Sequence, residues 1–351
     1  MAFDYSLRFL RNRRLRGRAE PDFPVPFVVG VGRSGTTLLR MMLDAHPELA
    51  IPPETHFVNP LIQASGRLRF NARAAAKAIV HDERRRWNDF GLAEEELLAA
   101  IEGVQPFNTT DALRAFYLLY ARKHGKERWG DKTPDYIRKM KKIQKSLPEA
   151  RFIHVIRDGR DAGLSQNRRI AQRGKEPVPP REMARRWRKR IVKSRIDAAE
   201  VGHYMEVRYE DLISNTETVL QRLCEHVEID YAPVMLRYHE RADERLQEMA
   251  GALPAKKGRP VREAGERVQA HALTTRPPDP DRLQVWKTEM TEEENAEFEN
   301  AAGYLLDELG YETVTPKSSW LPPEEWARSK TRAERGGSAR GGLLSRLRGR
   351  A

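Results

Sequence analysis

The chain has 351 residues, of which 63 are lysine or arginine and 51 are aspartate or glutamate, so its formal net charge is +12. It contains a single cysteine, Cys224, and no apolar run of about 18 residues, which excludes an internal disulfide, a cysteine-based zinc site and a transmembrane helix. Met1 leads into arginine-rich sequence rather than into the apolar core of a secretory signal, and we therefore expect a cytoplasmic protein.

The positive charge is concentrated at the two ends of the chain. Residues 1–20 carry a net charge of +4 and residues 327–351 carry +7, which leaves +1 for everything between them. A domain that binds specific nucleic acids is therefore disfavoured, because such a domain normally carries its basic excess on the fold itself. We predict one folded domain at 21–326 between two basic tails, of which the C-terminal one is disordered.

Strands and helices alternate along the folded body. Short apolar runs predict buried strands at 26–29, 152–156 and 204–209. Apolar spacing and charge predict helices at 38–43, 160–169, 182–200, 215–228 and 292–309. This order predicts an α/β fold with a doubly wound parallel sheet, in which ligands bind outside the carboxyl ends of the strands.

Two segments interrupt this alternation. Residues 60–125 are predicted to form a mostly helical insertion that covers the ligand site. Residues 251–280 are rich in glycine, proline, lysine and arginine and are predicted to form a loop. A loop of this length in a compact domain usually has a function, so we predict that it acts as a lid.

The first predicted strand runs into a glycine-rich loop, Gly30-Val31-Gly32-Arg33-Ser34-Gly35-Thr36-Thr37. Gly30, Gly35 and Thr37 fit the P-loop pattern G-x-x-x-x-G-K-[ST], but Thr36 occupies the position of the lysine. Backbone N–H groups at the start of the following helix still favour an anion, so we predict a ligand that bears phosphate. The missing lysine disfavours hydrolysis of ATP and phosphoryl transfer from it, and Arg33 is an alternative cation.

Two segments together carry a family signature. The first is this loop, continuing to Asp44-Ala45-His46-Pro47, and the second runs over 152–158 with Ser165 eight residues after Arg157. Both resemble the signatures of sulfotransferases that use 3′-phosphoadenosine 5′-phosphosulfate (PAPS). Pro53-Glu54-Thr55 places Glu54 21 residues beyond Arg33, which is most similar to the branch of protein-tyrosine sulfotransferases and their bacterial relatives.

The resemblance implies how a donor would be held. PAPS is the implied sulfuryl donor, and its 5′-phosphosulfate would be bound by Gly32, Arg33, Ser34, Gly35, Thr36 and Thr37. Arg157 and Ser165 would hold the 3′-phosphate, a role that suits arginine because its planar guanidinium meets phosphate oxygens in pairs. Tyr209 lies where the family has a tyrosine near the nucleotide, and Arg276 lies where the family closes a loop over the phosphosulfate.

Sulfuryl transfer also needs a base for the acceptor and cations beside the moving sulfonate. By resemblance, Glu54 is the general base, and Lys132 and Arg33 stabilise charge on the sulfonate and on the departing oxygen. Burial would raise the pKa of Glu54 and the nearby cations would lower it, and the sequence leaves both outcomes open. His56 is a competing base, because imidazole titrates near neutral pH. No metal is required by this interpretation.

Three classes of function stay open at this point. The main interpretation is a PAPS-dependent sulfotransferase that acts on a hydroxyl or an amine, and the alternatives are a P-loop nucleotide or small-molecule kinase and a catalytically silent nucleotide-binding scaffold. Peptide tyrosine, lipid, sugar and small metabolite are all open as acceptors, because a shared fold does not decide the substrate. The two tails favour peripheral contact with an anionic membrane, with solvated ends that have no partner as the alternative.

Overall fold

A computed structural model describes residues 23–65, 70–82, 86–253 and 263–323. The predicted tails at 1–20 and 327–351 lie outside these residues. The chain divides into two compact units, of which the first comprises Met1–Arg157 and Val192–Leu283 and the second comprises Asp158–Ile191 and Gln284–Ala351.

The described residues form six strands, all of them in the first unit. In chain order they are β1 (Val25–Gly30), β2 (Leu49–Ala50), β3 (Arg128–Trp129), β4 (Asp131–Lys132), β5 (Ala150–Ile156) and β6 (Tyr204–Arg208). Four of them form a parallel sheet in the order β4-β1-β5-β6, and β2 pairs separately with β3, also in parallel.

Helices follow the strands along the described chain. In chain order they are α1 (Thr36–Asp44), α2 (Val58–Ala64), α3 (Ala72–Val80), α4 (Glu94–Glu102), α5 (Thr109–Lys123), α6 (Met140–Ser146), α7 (Gly159–Ala171), α8 (Pro180–Ala198), α9 (Tyr209–Ser214), α10 (Thr216–His226), α11 (His239–Gln247), α12 (Glu266–Gln269), α13 (Trp286–Glu289) and α14 (Glu292–Glu308). Short 3₁₀ helices lie at Trp87–Phe90, Pro134–Arg138, Pro233–Arg237, Ala272–Thr275, Pro280–Arg282 and Lys317–Ser319. Within the described ranges, each helix is too short or too polar to cross a bilayer.

Both faces of the central sheet are buried. Alternate residues of β1 join different apolar cores, since Phe27 packs into one and Val28 into the other, and Phe152 and Ile153 of β5 divide in the same way. The first core includes residues of α5 and α6, and the second includes residues of α1 and α10. Strands covered by helices on both sides read as continuous apolar runs, so the predicted doubly wound α/β fold is confirmed.

The four-stranded sheet differs from the sequence prediction at the end of β6 and in the presence of β4. The strand predicted at 204–209 ends at Arg208, where its pairing with Ile156 of β5 ends, and Tyr209 begins a helix instead. Strand β4 was not predicted, because its two residues, Asp131 and Lys132, have no apolar pattern. Pairing with β1 holds them in the sheet.

The two segments that interrupt the alternation also contain helices. Residues 60–125 include most of α2 and all of α3, α4 and α5, and residues 263–280 include α12 and the 3₁₀ helix Ala272–Thr275. Their proposed roles as a cover and a lid stay predictions.

In the second unit, a buried arginine joins the start of α7 to the C-terminal segment. Arg160 donates hydrogen bonds to Asp158 at 2.7 Å and to Glu299 at 2.9 Å, and its guanidinium lies 3.5 Å from the ring centroid of Trp286. Glu299 also accepts from the backbone N–H of Thr315 at 2.8 Å. Each buried charge therefore has charged or hydrogen-bonded partners, as burial requires.

Candidate functional site

The glycine-rich loop connects β1 to the first turn of α1. Gly35 immediately precedes the helix with a φ of 90°, in the left-handed region that glycine adopts without steric cost. A Cβ atom on Gly35 would lie 2.3 Å from Cδ2 of Tyr209, so packing against that ring also requires glycine here. The first N–H groups of α1 have no partner within the helix and point back toward the loop.

The side chains of the loop fit an anionic ligand. Ser34 is fully buried, and its Oγ has no hydrogen-bond partner among the described residues. Leaving a buried hydroxyl unpaired costs about 1–3 kcal/mol, and a phosphate oxygen is a suitable acceptor for it. Thr36 and Thr37 are also buried. The loop therefore suits the phosphosulfate that the sequence resemblance implies.

Two non-glycine residues of the site have left-handed backbones. Arg33, which is half-buried in the loop, has a φ of 71°, and His56 has a φ of 53°. Such conformations cost about 1–3 kcal/mol each and are concentrated at functional sites. The role of Arg33 as a cation beside the sulfonate stays a prediction.

Glu54 lies at the centre of a group of cations. Its Oε1 accepts a hydrogen bond from Nζ of Lys132 at 3.2 Å, and its Oε2 accepts one from Nη1 of Arg86 at 3.0 Å. Nε2 of His56 is 2.9 Å from the same Oε2. Nζ of Lys132 also lies 3.4 Å from Oγ1 of Thr37 on α1. The structure thus brings together the predicted base Glu54, the competing base His56, Lys132 and the glycine-rich loop at 30–37, which is called the phosphate loop from here on.

The charges around Glu54 decide its protonation state. Burial alone would raise the pKa of the Glu54 carboxyl, but Lys132, His56 and Arg86 outweigh burial and hold that pKa well below its usual range. Glu54 is therefore ionised at neutral pH, which resolves the question left open by the sequence. Burial lowers the pKa of Lys132, and the Glu54 carboxylate opposes that shift.

Arg86 is a site residue that the sequence analysis missed. It immediately precedes the 3₁₀ helix Trp87–Phe90, only 11% of its side chain is exposed, and it contacts Glu54 from 32 residues further along the chain. Arg86 is one of 63 lysine and arginine residues in the chain, and no sequence pattern around it distinguishes it from the others. Its burial against a carboxylate distinguishes it, and burial of this kind is a property of the folded chain.

The segment that leads from β2 to Glu54 is anchored on α1. Nε of Arg40 donates to the carbonyl of Ile51 at 2.9 Å, and Oδ1 of Asp44 accepts from the N–H of Ile51 at 2.7 Å. Burial would raise the pKa of Asp44, but the charge of Arg245 and two further cations holds it at about 2. One helix therefore carries the phosphate loop at its start and fixes the segment of the predicted base near its end.

Arg157 of the second signature also approaches the loop. Arg157, which follows β5, has its guanidinium carbon 4.5 Å from the ring centroid of Tyr209 and donates to the carbonyl of Arg282 at 2.7 Å. Burial raises the pKa of Tyr209, so its hydroxyl stays neutral. Because the ring of Tyr209 also packs against Gly35, this ring connects Arg157 to the phosphate loop.

The two remaining residues that are predicted to bind the donor are Ser165 and Arg276. Ser165 is half-buried on α7, within the second unit. Arg276 is exposed after the 3₁₀ helix Ala272–Thr275, and its carbonyl accepts a hydrogen bond from Tyr238 at 2.6 Å. Donor binding by these two residues stays a prediction.

A comparison with protein families decides what kind of protein carries this site. A family model described as "Sulfotransferase family" matches residues 24–233, which is more than half of the chain. The chain belongs to the sulfotransferase family. The resemblance seen in the two sequence signatures is therefore confirmed.

Individual sulfotransferases match at low identity. "Protein-tyrosine sulfotransferase 1" of Danio rerio is 27% identical over 223 residues, covering 62% of this chain and 57% of that protein. "Protein-tyrosine sulfotransferase A" of Caenorhabditis elegans is 24% identical over 313 residues, covering 88% of this chain and 72% of that protein. This chain thus spans little more than half the length of the Danio rerio relative.

A solved structure supports the fold assignment. The "Sulfotransferase Domain from the Synechococcus PCC 7002 Olefin Synthase" superposes with a TM-score of 0.53 at 20% identity, covering 84% of this chain and 98% of that domain. At this identity the likeness concerns the fold alone.

Proposed function

We propose that this sulfotransferase moves a sulfuryl group from PAPS to an acceptor hydroxyl, with Glu54 as the general base. The observation that carries the proposal is the meeting of an ionised Glu54 carboxylate, the Lys132 ammonium and Thr37 of the phosphate loop through contacts of 3.2 and 3.4 Å. Membership of the family supports the class of reaction.

The chain's own residues fit the donor. PAPS, when bound, supplies a sulfuryl group attached to a phosphate leaving group. The unpaired hydroxyl of Ser34 and the N–H groups of the loop would hold the 5′ side, and Arg157 would hold the 3′-phosphate. Lys132 places a positive charge beside Thr37, where it stabilises charge that develops on the departing oxygen.

Glu54 accepts the proton of the acceptor hydroxyl at its carboxylate. A carboxylate whose pKa is held low is a weak base, so it takes this proton only when the hydroxyl has become acidic during transfer. The cations that lower its pKa also keep it ionised, and therefore ready, at neutral pH. His56 contacts the same carboxylate and is proposed to orient it.

We propose a tyrosine of a protein or peptide as the acceptor. Relatives in several animals carry the name protein-tyrosine sulfotransferase, which supports this class over a lipid, a sugar or a small metabolite. To test the proposal, the purified protein is incubated with ³⁵S-labelled PAPS and an extract of the cells from which the protein comes. Protein, lipid and small molecules are then separated.

Label in tyrosine sulfate from the protein fraction is the expected result of this assay. The matched control is the Lys132→Met variant, which should lower the initial rate of labelling in every fraction by roughly 10²- to 10³-fold. Label in the lipid or small-molecule fraction would overturn the acceptor but keep the reaction. Consumption of ATP with Mg²⁺, and none of PAPS, would instead support a kinase.

Removal of the Arg157 guanidinium tests the contact with the 3′-phosphate. We expect Arg157→Ala to bind adenosine 3′,5′-bisphosphate roughly ten- to a hundredfold more weakly, because a charge-assisted hydrogen bond contributes about 1.5–3 kcal/mol. Calorimetry measures the affinity. Arg138→Ala is the control, since Arg138 is exposed and pairs with Asp135 at 3.1 Å. Parental affinity in Arg157→Ala would show that the assignment is wrong.

We propose that the basic tails bring the enzyme to an anionic membrane. They lie outside the described residues, and their net charges are +4 and +7. Each basic residue near an anionic bilayer contributes about 1 kcal/mol, so reversible attachment that weakens with salt is expected. Sedimentation with phosphatidylserine vesicles, at low and physiological salt, compares the full chain with residues 21–326. Equal, negligible sedimentation of both proteins would contradict this proposal. The cytoplasmic location stays a prediction.

A further inference from the structure

A buried hydrogen-bonded cluster adjoins the Glu54–Lys132 pair, and the proposed chemistry uses none of its members. The cluster consists of Thr55, Tyr117, Asp131, Thr133 and Tyr136, of which none is more than 3% exposed. These residues come from separate parts of the chain: the segment after β2, helix α5, strand β4 and the turn and 3₁₀ helix that follow β4.

The hydrogen bonds of this cluster converge on Thr55. Its Oγ1 donates to Oδ2 of Asp131 at 2.8 Å, and the hydroxyl of Tyr117 donates to the same oxygen at 2.9 Å. Because the proton of Thr55 is engaged with Asp131, the hydroxyl of Tyr136 is the donor in its 2.9 Å contact with Thr55. Tyr136 in turn accepts from the N–H of Val58, the first residue of α2, at 3.1 Å. One threonine hydroxyl therefore joins three parts of the chain.

The cluster holds the backbone on both sides of the catalytic pair. Glu54 immediately precedes Thr55, and Lys132 immediately follows Asp131. Successive side chains of a strand point to opposite sides, so Asp131 enters the buried cluster while Lys132 reaches the carboxylate of Glu54. The 2.8 Å contact between Thr55 and Asp131 therefore lies beside the 3.2 Å contact between Glu54 and Lys132.

The backbone after Thr55 needs such support. His56 has a φ of 53°, and a non-glycine residue keeps a left-handed backbone only where its surroundings impose it. The N–H of Thr55 donates to Oγ1 of Thr133 at 3.1 Å, so both the side chain and the backbone of the residue before His56 are held. Without these hydrogen bonds the segment would relax, and the carboxylate of Glu54 would no longer be held against Lys132.

The aspartate in this cluster is costly for the fold. Burial raises the pKa of the Asp131 carboxyl to about 6, even though hydrogen bonds from Thr55 and Tyr117 act to lower it. Ionised at neutral pH, Asp131 therefore opposes folding. Residues that destabilise the folded state in this way are expected where function requires them.

We propose that Thr55 and Asp131 form a positioning pair, whose hydrogen bond sets the Glu54 carboxylate against Lys132 and the phosphate loop. The pair acts through Glu54, and neither member touches the donor or the acceptor. This inference rests on the proposed role of Glu54 as the base.

Two substitutions at Thr55 separate positioning from packing. Thr55→Val keeps the branched shape and removes the hydroxyl, whereas Thr55→Ser keeps the hydroxyl. We expect Thr55→Val to lower kcat on the order of ten- to a hundredfold, the effect of a small misplacement of a reacting group. KM for PAPS and the affinity for adenosine 3′,5′-bisphosphate should be unchanged, and Thr55→Ser should retain most of the parental kcat.

Combination with Glu54→Gln tests whether Thr55 acts through Glu54. In that background Thr55→Val should cause no further loss of turnover, because the group that it positions has already been removed. A full additional loss, or equal losses in Thr55→Val and Thr55→Ser, would overturn the positioning role. Low turnover in Glu54→Gln with parental turnover in Thr55→Val would reject this inference alone, whereas parental turnover in Glu54→Gln would reject the proposed base as well.

Thermal unfolding shows whether Thr55→Val is folded at the assay temperature. If it is not, Tyr117→Phe replaces it, because this change removes only the second donor to Asp131. We then expect a severalfold lower kcat at unchanged KM for PAPS, and a parental kcat in a folded Tyr117→Phe would count against the proposal.

Discussion

Glu54→Gln should lower turnover by roughly 10²- to 10⁴-fold while leaving the affinity for adenosine 3′,5′-bisphosphate at the parental value. The amide keeps the size of the side chain and an oxygen that accepts from Lys132, but it takes up no proton at neutral pH. We propose that donor binding depends on the loop and on Arg157, and this change leaves both intact. Initial rates with labelled PAPS and calorimetry with adenosine 3′,5′-bisphosphate measure the two quantities separately.

His56 supplies the comparison for this prediction. If His56 only orients the carboxylate, His56→Gln should reduce turnover much less than Glu54→Gln does. A parental rate in Glu54→Gln together with an inactive His56→Gln would move the role of base to His56. We also expect EDTA to leave the parental rate unchanged, and a rate restored by Mg²⁺ would favour the kinase alternative.

Lys132→Met should lower turnover by roughly 10²- to 10³-fold, the usual effect of removing a group that stabilises charge in the transition state. Methionine keeps an unbranched apolar chain of similar length in this buried position and removes the ammonium. Rates with labelled PAPS measure the loss. Lys142→Met is the matched control, because Lys142 is exposed on α6.

The pH dependence of this variant has a definite sign. The charge of Lys132 favours the ionised form of Glu54 and so lowers the pKa of that carboxyl. Without Lys132 the pKa of Glu54 rises, and its carboxylate becomes protonated at a higher pH than in the parent. The acid limb of kcat/KM should therefore move to higher pH, and an unmoved limb with a parental rate would contradict the pairing of these two residues.

The sequence by itself determined the class of fold and the position of the phosphate loop. Apolar runs predict strands β1 and β5 because both faces of a central parallel strand are buried, and this burial constrains every residue of the run. Gly35 was predicted from the spacing of the P-loop pattern, and its φ of 90° shows why this position requires glycine. Both signals involve residues that are close together in the sequence, so they can be recognised without the structure.

Only the tertiary structure decided the state of Glu54 and the partners that surround it. Opposing effects of burial and of Lys132, Arg86 and His56 act on one carboxyl, and their balance depends on distances that no spacing in the sequence specifies. Thr55 and Asp131 are 76 residues apart in the chain but 2.8 Å apart through their hydrogen-bonding atoms. A contact of this kind is made by the folding of the chain, because the pairing of β2 with β3 brings the segment before Thr55 beside the segment before Asp131.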